Sequence, residues 1–169
     1  MIICDKCHEE INNKEFNPEP HIKRGYININ DNVTFKYQKD ALRCFGYKGG
    51  HYQQAVWKIP KTNKRVWFPK LDIDEDWNNS LSNDGEKITM KLNSGESLDD
   101  WFRNNRGDKN WLKKIKNGED LKIDVVFGSE KNHLNQRVYK FIGEFEVSSE
   151  ETDEFSMVSI RKATKVYLS

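Results

Sequence analysis

Long hydrophobic runs are missing from this sequence of 169 residues. No stretch approaches the ~18 consecutive apolar residues that a membrane-spanning helix requires. The sequence also shows no signal-peptide pattern and no lipidation motif. We therefore expect a cytoplasmic protein with no membrane partner.

Cysteine is scarce, with only Cys4, Cys7 and Cys44 in the chain. An odd number with one close pair is not typical of a secreted disulfide framework. The Cys-x-x-Cys spacing is half of a structural zinc site, which needs four ligands. Together with His21, the three cysteines would complete a Cys₃His site for one zinc ion. The alternative is that Cys4 and Cys7 are simply reduced thiols.

Catalytic motifs are also lacking. The sequence contains no nucleophile elbow, no P-loop and no dinucleotide-binding fingerprint. The carboxylates between Asp72 and Asp76 have no acid-x-Lys sequence beside them, which metal-dependent nuclease chemistry would favour. We expect no catalytic activity from this chain by itself, and a small nuclease with an unrecognised site is the least favoured alternative.

Charge of one sign is not in excess, since the net charge is only +1, but the charges are segregated. Residues 21–70 carry eleven Lys and Arg against two Asp, a balance of +9, and residues 101–140 carry a balance of +5. Residues 71–100 and 141–160 have balances of −7 and −6. A basic block favours a polyanionic partner through counterion release. The alternative is that these blocks mix in space when distant strands pair.

Strand patterns dominate the sequence after a Pro-containing boundary near residue 20. Residues 1–20 are expected to form a small Cys-containing segment, a candidate zinc knuckle, and residues 21–169 the main domain. Alternating apolar residues predict hairpins at 26–37 and 53–68, and further strands at 86–92, 121–127, 137–147 and 155–168.

Two or three short helices accompany these strands. They are expected at 39–45, after an N-cap at Ser97, and after Asp108. Seven or eight strands clustered at both ends of the chain predict an α+β fold with a curved, mostly antiparallel β-barrel.

Aromatic residues are plentiful between residues 47 and 77 and alternate with Lys and Arg. Aromatic faces beside a cationic groove are how proteins hold unpaired or flipped bases. The structural alternative is that Trp57 and Trp67 face each other across the 53–68 hairpin as core. For Trp77 we favour a pocket, because the Asn- and Ser-rich segment 77–85 is more typical of turns than of a strand.

The segment from Trp67 to Leu71, the segment from Trp77 to Gly85, and the later strand pair around Phe127 and Phe141 resemble a C-terminal module of modification-dependent HNH restriction endonucleases. Such modules are similar to the PUA-like superfamily, which includes the SRA and EVE domains. The resemblance covers roughly residues 50–168. It implies a β-barrel that reads modified DNA by accepting a flipped base in an aromatic pocket.

The resemblance lets us name candidate DNA contacts. We expect phosphate contacts from Lys58, Lys61, Lys64, Arg65 and Lys70, and pocket or rim positions for Trp67, Trp77, Asn78, Asn79 and Asp84. The nuclease half of such enzymes has no counterpart in the sequence, so a separate nuclease subunit is a candidate partner. The alternative function is a phage or mobile-element protein whose acidic blocks bind and inhibit a nucleic-acid enzyme.

Overall fold

The computed structural model describes residues 16–119 and 121–168. Within them lie four short α-helices, one more than the upper limit expected from the sequence: α1 (Glu19–Arg24), α2 (Gln38–Arg43), α3 (Leu98–Arg106) and α4 (Trp111–Lys116). The strands are β1 (Tyr26–Asn28), β2 (Thr34–Phe35), β3 (Val56–Lys58), β4 (Lys64–Trp67), β5 (Trp77–Leu81), β6 (Lys87–Leu92), β7 (Ile123–Lys131), β8 (Arg137–Val147), β9 (Met157–Ala163) and β10 (Lys165–Tyr167). Helix α1 spans the boundary expected near residue 20.

Most strands belong to one eight-stranded sheet with the order β3-β4-β7-β8-β9-β6-β5, in which β2 also pairs with β8. All its neighbours are antiparallel except β4 and β7, which run parallel. Strands β1 and β10 form a separate two-stranded sheet. The predicted α+β class with a mostly antiparallel sheet is confirmed.

The β3–β4 hairpin is confirmed, but the hairpin expected at residues 26–37 is wrong. Strand β1 pairs with β10 and β2 pairs with β8. Between them, Ile29–Asp31 forms a 3₁₀ turn that ends at Asn32 with a positive φ of 51°. With this turn between them, β1 and β2 do not pair with each other, and each pairs with a strand much later in the sequence.

Strand β5 corrects the expectation of a turn over residues 77–85. Trp77–Leu81 is antiparallel to β6, with Trp77 opposite Leu92. The turn is confined to the following residues, where Ser82 Oγ donates to Asp84 Oδ1 at 2.6 Å. Pairing with β6 overrides the weak strand propensity of Asn and Ser, because strand preference depends mainly on the neighbouring strand.

Buried side chains form two hydrophobic cores. The first is built around Phe35, Leu42, Val66, Phe127 and Phe141. The second, which we call the helix-side core, contains Trp67, Ile88, Leu98, Trp111, Phe145 and Met157. Adjacent residues of one strand pack in different cores, as Val66 and Trp67 do, because side chains alternate between the faces of a sheet.

A bulge interrupts the pairing of strands β7 and β8. Their register shifts between Val126 and Phe127, which face Gly143 and Phe141 respectively. Gly143 has a φ of +126°, and a Cβ there would lie 2.9 Å from the Ala163 carbonyl oxygen. Only glycine therefore fits without displacement of the neighbouring backbone.

Helices α3 and α4 cover the helix-side core. As predicted, Ser97 is an N-cap, and its Oγ accepts a hydrogen bond from Asp100 N at 3.1 Å. Asp99 Oδ1 accepts from Leu112 N at 3.2 Å, which ties the start of α4 to α3. Among the described residues, no helix has the length and apolar character needed to cross a membrane.

Candidate nucleic-acid interface

A cleft of about 750 Å³ opens between the sheet and helices α3 and α4. Its walls come from the β3–β4 hairpin, from strands β5, β6 and β9, and from both helices. Strands β4 and β5 are separated by four others in the sheet order. They meet around one cleft because the sheet curls. Such a volume is typical of small-molecule and base-sized ligand sites.

Aromatic rings form a continuous series along the cleft. The Trp77 and Trp101 rings meet edge to face with centroids 4.9 Å apart, and Trp101 meets Phe102 in the same way at 5.2 Å. Phe102 stacks on Trp111 at 4.9 Å with an interplanar angle of 14°. The Arg106 guanidinium lies 5.3 Å from the centre of the Trp101 ring. The cleft therefore combines aromatic faces with a cation at its rim.

Sequence reasoning missed three of these aromatic residues: Trp101, Phe102 and Trp111. They lie on helices α3 and α4, outside the aromatic-rich span of residues 47–77. The signal that could have found them is the adjacent Trp101–Phe102 pair, one turn after the predicted Ser97 cap. Both rings pack against the helix-side core but stay partly exposed, so they also border the cleft.

The floor of the cleft contains a polar residue with an unused hydrogen-bonding group. Asn79 lies in the middle of β5, directly opposite Met90 of β6, which in turn lies opposite Met157 of β9. All three side chains line the cleft. Asn79 is only 8% exposed, and its Oδ1 atom is buried with no hydrogen-bond partner. A buried acceptor left unpaired is costly, so Asn79 is a candidate for a hydrogen bond to a ligand that enters the cleft.

The predicted pocket tryptophans both border the cleft, but they differ in burial. Trp67 is 7% exposed and belongs to the helix-side core, whereas Trp77 is half-buried and packs against that core's edge. Trp57 and Trp67 do not face each other, because the register pairs Trp57 with Val66. Trp57 packs against the first core instead. Trp77 is thus the predicted tryptophan with more surface to offer a ligand.

Two of the five cations expected to contact phosphates form ion pairs within the fold. Arg65 donates to both carboxylate oxygens of Asp124, at 2.9 and 3.1 Å. Lys64 forms an ion pair with Glu144. Burial raises the pKa of Asp124, and the charge of Arg65 opposes that rise. Both cations are thus paired with carboxylates on strands that are distant in sequence.

The other three cations are exposed. Lys58 ends β3, Lys61 lies in the β3–β4 turn with a φ of 64°, and Lys70 borders the cleft. Within residues 16–119 and 121–168, none of the three forms an ion pair or a side-chain hydrogen bond. They form the part of the expected basic surface that is available to a polyanion.

Asn78 and Asp84 lie away from the cleft. Asn78 is exposed on the opposite face of β5 from Asn79, as strand alternation requires. Asp84 lies in the turn beyond the other end of β5, where hydrogen bonds from Ser82 Oγ and Glu86 N lower its pKa. A contact between DNA and either residue stays a prediction, but a shared pocket with Trp77 is not supported.

The expected zinc ligands fall partly outside the described residues, since Cys4 and Cys7 belong to segment 1–15. Across the described part of the chain, no three His, Cys, Asp or Glu side chains cluster as a metal site would require. Cys44 is buried in the first core, and this burial raises its pKa to about 12. His21 Nδ1 lies 3.3 Å from Arg24 Nη2, and its ring meets the edge of Phe35. Zinc binding stays a prediction.

Comparisons with known proteins agree with this geometry. A family model, the SET and RING associated (SRA) domain, matches residues 21–168. A solved structure, described as the 5-hydroxymethylcytosine-specific restriction enzyme AbaSI, is 30% identical and superposes with a TM-score of 0.71. The alignment covers 91% of this chain but only 46% of the enzyme's chain. No curated protein sequence matches significantly.

The family match confirms the resemblance inferred from the tryptophan segments, and it extends that resemblance to the strands before residue 50. Neither comparison supports the alternative of a phage-encoded inhibitor. Because the matched region runs through every described strand and through the whole cleft, the chain belongs to the SRA domain family.

Proposed function

We propose that this chain is a DNA-binding module that accepts a modified base, flipped out of the duplex, in the cleft beside Trp77. The observation that carries the proposal is the buried, unpaired Oδ1 atom of Asn79 on the floor of an aromatic cleft. A protein that reads a flipped base needs an aromatic face for stacking and a fixed polar group for the base edge. Trp77 and Asn79 supply the two from one strand.

A cytosine derivative suits this arrangement. The exocyclic amino group of cytosine is a hydrogen-bond donor, and Asn79 Oδ1 is an acceptor without a partner. Trp77 lies two residues away on the same face of β5, so a base held at its edge by Asn79 can lie against the indole ring. Stacking of this kind contributes about 1–3 kcal/mol per base.

Phosphate contacts would come from the exposed cations near the cleft. Lys70 borders the opening, and Lys58 and Lys61 extend the positive charge along the β3–β4 hairpin. Such contacts hold the duplex in place without reading its sequence. Discrimination between bases would therefore rest with the cleft, and overall affinity largely with these lysines.

A nuclease partner is part of the proposal. The solved relative is a restriction enzyme, and this chain corresponds to about half of its length. We expect this module to direct a nuclease activity that resides elsewhere, in a restriction system that acts on modified DNA. The chain by itself is expected to bind without cleaving.

The test is a binding measurement by fluorescence anisotropy on duplexes that differ only in one central cytosine: unmodified, 5-methylated or 5-hydroxymethylated. Wild type should bind at least one modified duplex more tightly than the unmodified one. Asn79→Leu should weaken binding to the modified duplexes by about 1–3 kcal/mol, because the base amino group loses its acceptor. The same substitution should leave the free energy of unfolding unchanged or higher, because it removes a buried unpaired group.

Asn78→Leu is the matched control, since Asn78 is the neighbouring asparagine on the exposed face of the same strand. It should preserve the affinity for modified DNA. Equal binding of all three duplexes by wild type, or an equal loss in both variants, would refute the proposed role of the cleft.

A further inference from the structure

The immediate neighbours of Asn79 on the cleft face of the sheet are apolar. Trp77 and Leu81 precede and follow it by two residues on β5, and Met90 lies directly opposite on β6. Met157, on the next strand, continues the same row and is 9% exposed. Of these neighbours, Trp77, Met90 and Met157 line the cleft. Asn79 is therefore a single polar residue in an apolar row.

The chemistry of cytosine brings its C5 position to this row. The amino group of cytosine is attached to C4, and C4 is bonded to C5. A base whose amino group donates to Asn79 Oδ1 therefore places its C5 substituent beside that hydrogen bond. Directly opposed residues of antiparallel strands have Cβ atoms about 4.5–5.5 Å apart. The Met90 side chain is thus within reach of the substituent, with Met157 behind it.

From this register we infer that Met90 determines specificity at C5, and that the cleft prefers an apolar methyl group to a hydroxymethyl group. This inference rests on the proposed function. A thioether has no hydrogen-bond donor and is only a weak acceptor. A hydroxyl group placed against it would lose its hydrogen bonds to water without gaining equivalent ones.

Methionine also suits contact with a methyl group. Its side chain is flexible and polarisable, so it fills the irregular space around a small apolar substituent. The nearly buried Met157 behind it limits the space into which a longer substituent could move. This preference would distinguish the chain from the solved relative, which is described as specific for 5-hydroxymethylcytosine.

The test compares the dissociation constants of the 5-methylated and 5-hydroxymethylated duplexes. Wild type should bind the methylated duplex about tenfold more tightly, because an apolar pocket disfavours an added hydroxyl only moderately. Met90→Gln places an amide beside the substituent and should bring the two affinities to within about threefold. Met90→Leu keeps the site apolar and should retain the methyl preference. Met90→Leu also shows whether a loss of the methyl preference in Met90→Gln results from the polar amide or only from disturbed packing.

Lys91→Gln is the control, because it introduces the same amide on the exposed face of the same strand. It can alter both affinities but should leave their ratio unchanged. Equal or tighter binding of the hydroxymethylated duplex by wild type, or an unchanged ratio in a folded Met90→Gln variant, would overturn the inference. In those cases the preference for modified over unmodified DNA would persist. If wild type does not distinguish any modified duplex from the unmodified one, the proposed function fails first.

Discussion

Arg65 and Asp124 lie directly opposite each other on the parallel strands β4 and β7, joined by two hydrogen bonds of 2.9 and 3.1 Å. The Asp124 side chain is fully buried, whereas the Arg65 side chain is about one quarter exposed, at 27%. The Arg65 guanidinium donates both of these hydrogen bonds to the carboxylate. A residue that looks like a phosphate contact in the sequence therefore satisfies a buried charge in the fold.

Arg65→Ala should destabilise the protein by about 3–5 kcal/mol, because it leaves a buried carboxylate without its partner. The double variant Arg65→Met, Asp124→Leu should recover most of this loss, since an apolar pair needs no compensating charge. Urea denaturation measures both free energies. Burial raises the pKa of Asp124 in the folded state, so the deficit of Arg65→Ala should shrink at acid pH, where the carboxyl group is protonated. A deficit below about 1 kcal/mol at neutral pH would contradict this role.

Trp67 and Trp77 should respond differently to replacement by alanine. Trp67 is a core residue, so Trp67→Ala should cost about 3–5 kcal/mol of folding stability. Trp77 is only half-buried, so Trp77→Ala should cost less stability but about 1–3 kcal/mol of binding to modified DNA. Thermal denaturation and fluorescence anisotropy give the two values. A Trp77→Ala variant with wild-type affinity when folded would show that Trp77 contributes to the core and not to DNA binding.

The exposed lysines should determine the salt dependence of DNA binding. Lys58→Ala, Lys61→Ala and Lys70→Ala should each reduce the slope of log affinity against log salt by about one. Lys64→Ala should change the slope less, because Lys64 is paired with Glu144. Titrations at several salt concentrations provide the slopes. Equal slopes in all four variants and wild type would place the DNA on another face.

Cys44 should be chemically inert in the folded protein. Burial raises its pKa to about 12, so almost no reactive thiolate forms near neutral pH. In a Cys4→Ser, Cys7→Ser background, a thiol reagent at neutral pH should label Cys44 only after unfolding in urea. Elemental analysis adds a second readout, because a thiol buried in the core is a poor candidate for the predicted Cys₃His site. If the Cys-x-x-Cys pair holds zinc, Cys44→Ala should therefore retain the same zinc content. Rapid labelling of the native protein, or loss of zinc in Cys44→Ala, would contradict the buried thiol.

Asp72 should make stability sensitive to acid. It accepts two hydrogen bonds from Arg137 and one from Lys131 N. Burial alone would raise its pKa, but the hydrogen bonds and charge of Arg137 outweigh that effect and lower it. The contribution is present above the ordinary carboxyl pKa and is lost as the pH falls through the lowered one.

Asp72→Asn should accordingly flatten the stability profile below roughly pH 4, as measured by urea midpoints across pH. Glu130→Gln, which removes an exposed carboxylate of β7, is the matched control and should leave the profile unchanged. If stability still falls steeply at acid pH in Asp72→Asn, that loss comes from other carboxyl groups.

Local patterns in the sequence were sufficient for several elements. The Ser97 cap, the β3–β4 hairpin and the long strand β8 follow from capping chemistry and alternation of period two, which depend on neighbouring residues only. Strand β5 was hidden because Asn and Ser are poor strand formers. The tryptophan segments also carried enough information to suggest the family.

Tertiary structure alone decided what the side chains of those elements do. Arg65 became a partner of Asp124 and Lys64 a partner of Glu144, because strands distant in sequence are neighbours in the sheet. The row of Asn79, Met90 and Met157 likewise depends on the register of three strands. Alternation predicts which face a residue occupies, but strand order and register come from long-range pairing, and they determine which residues share the cleft.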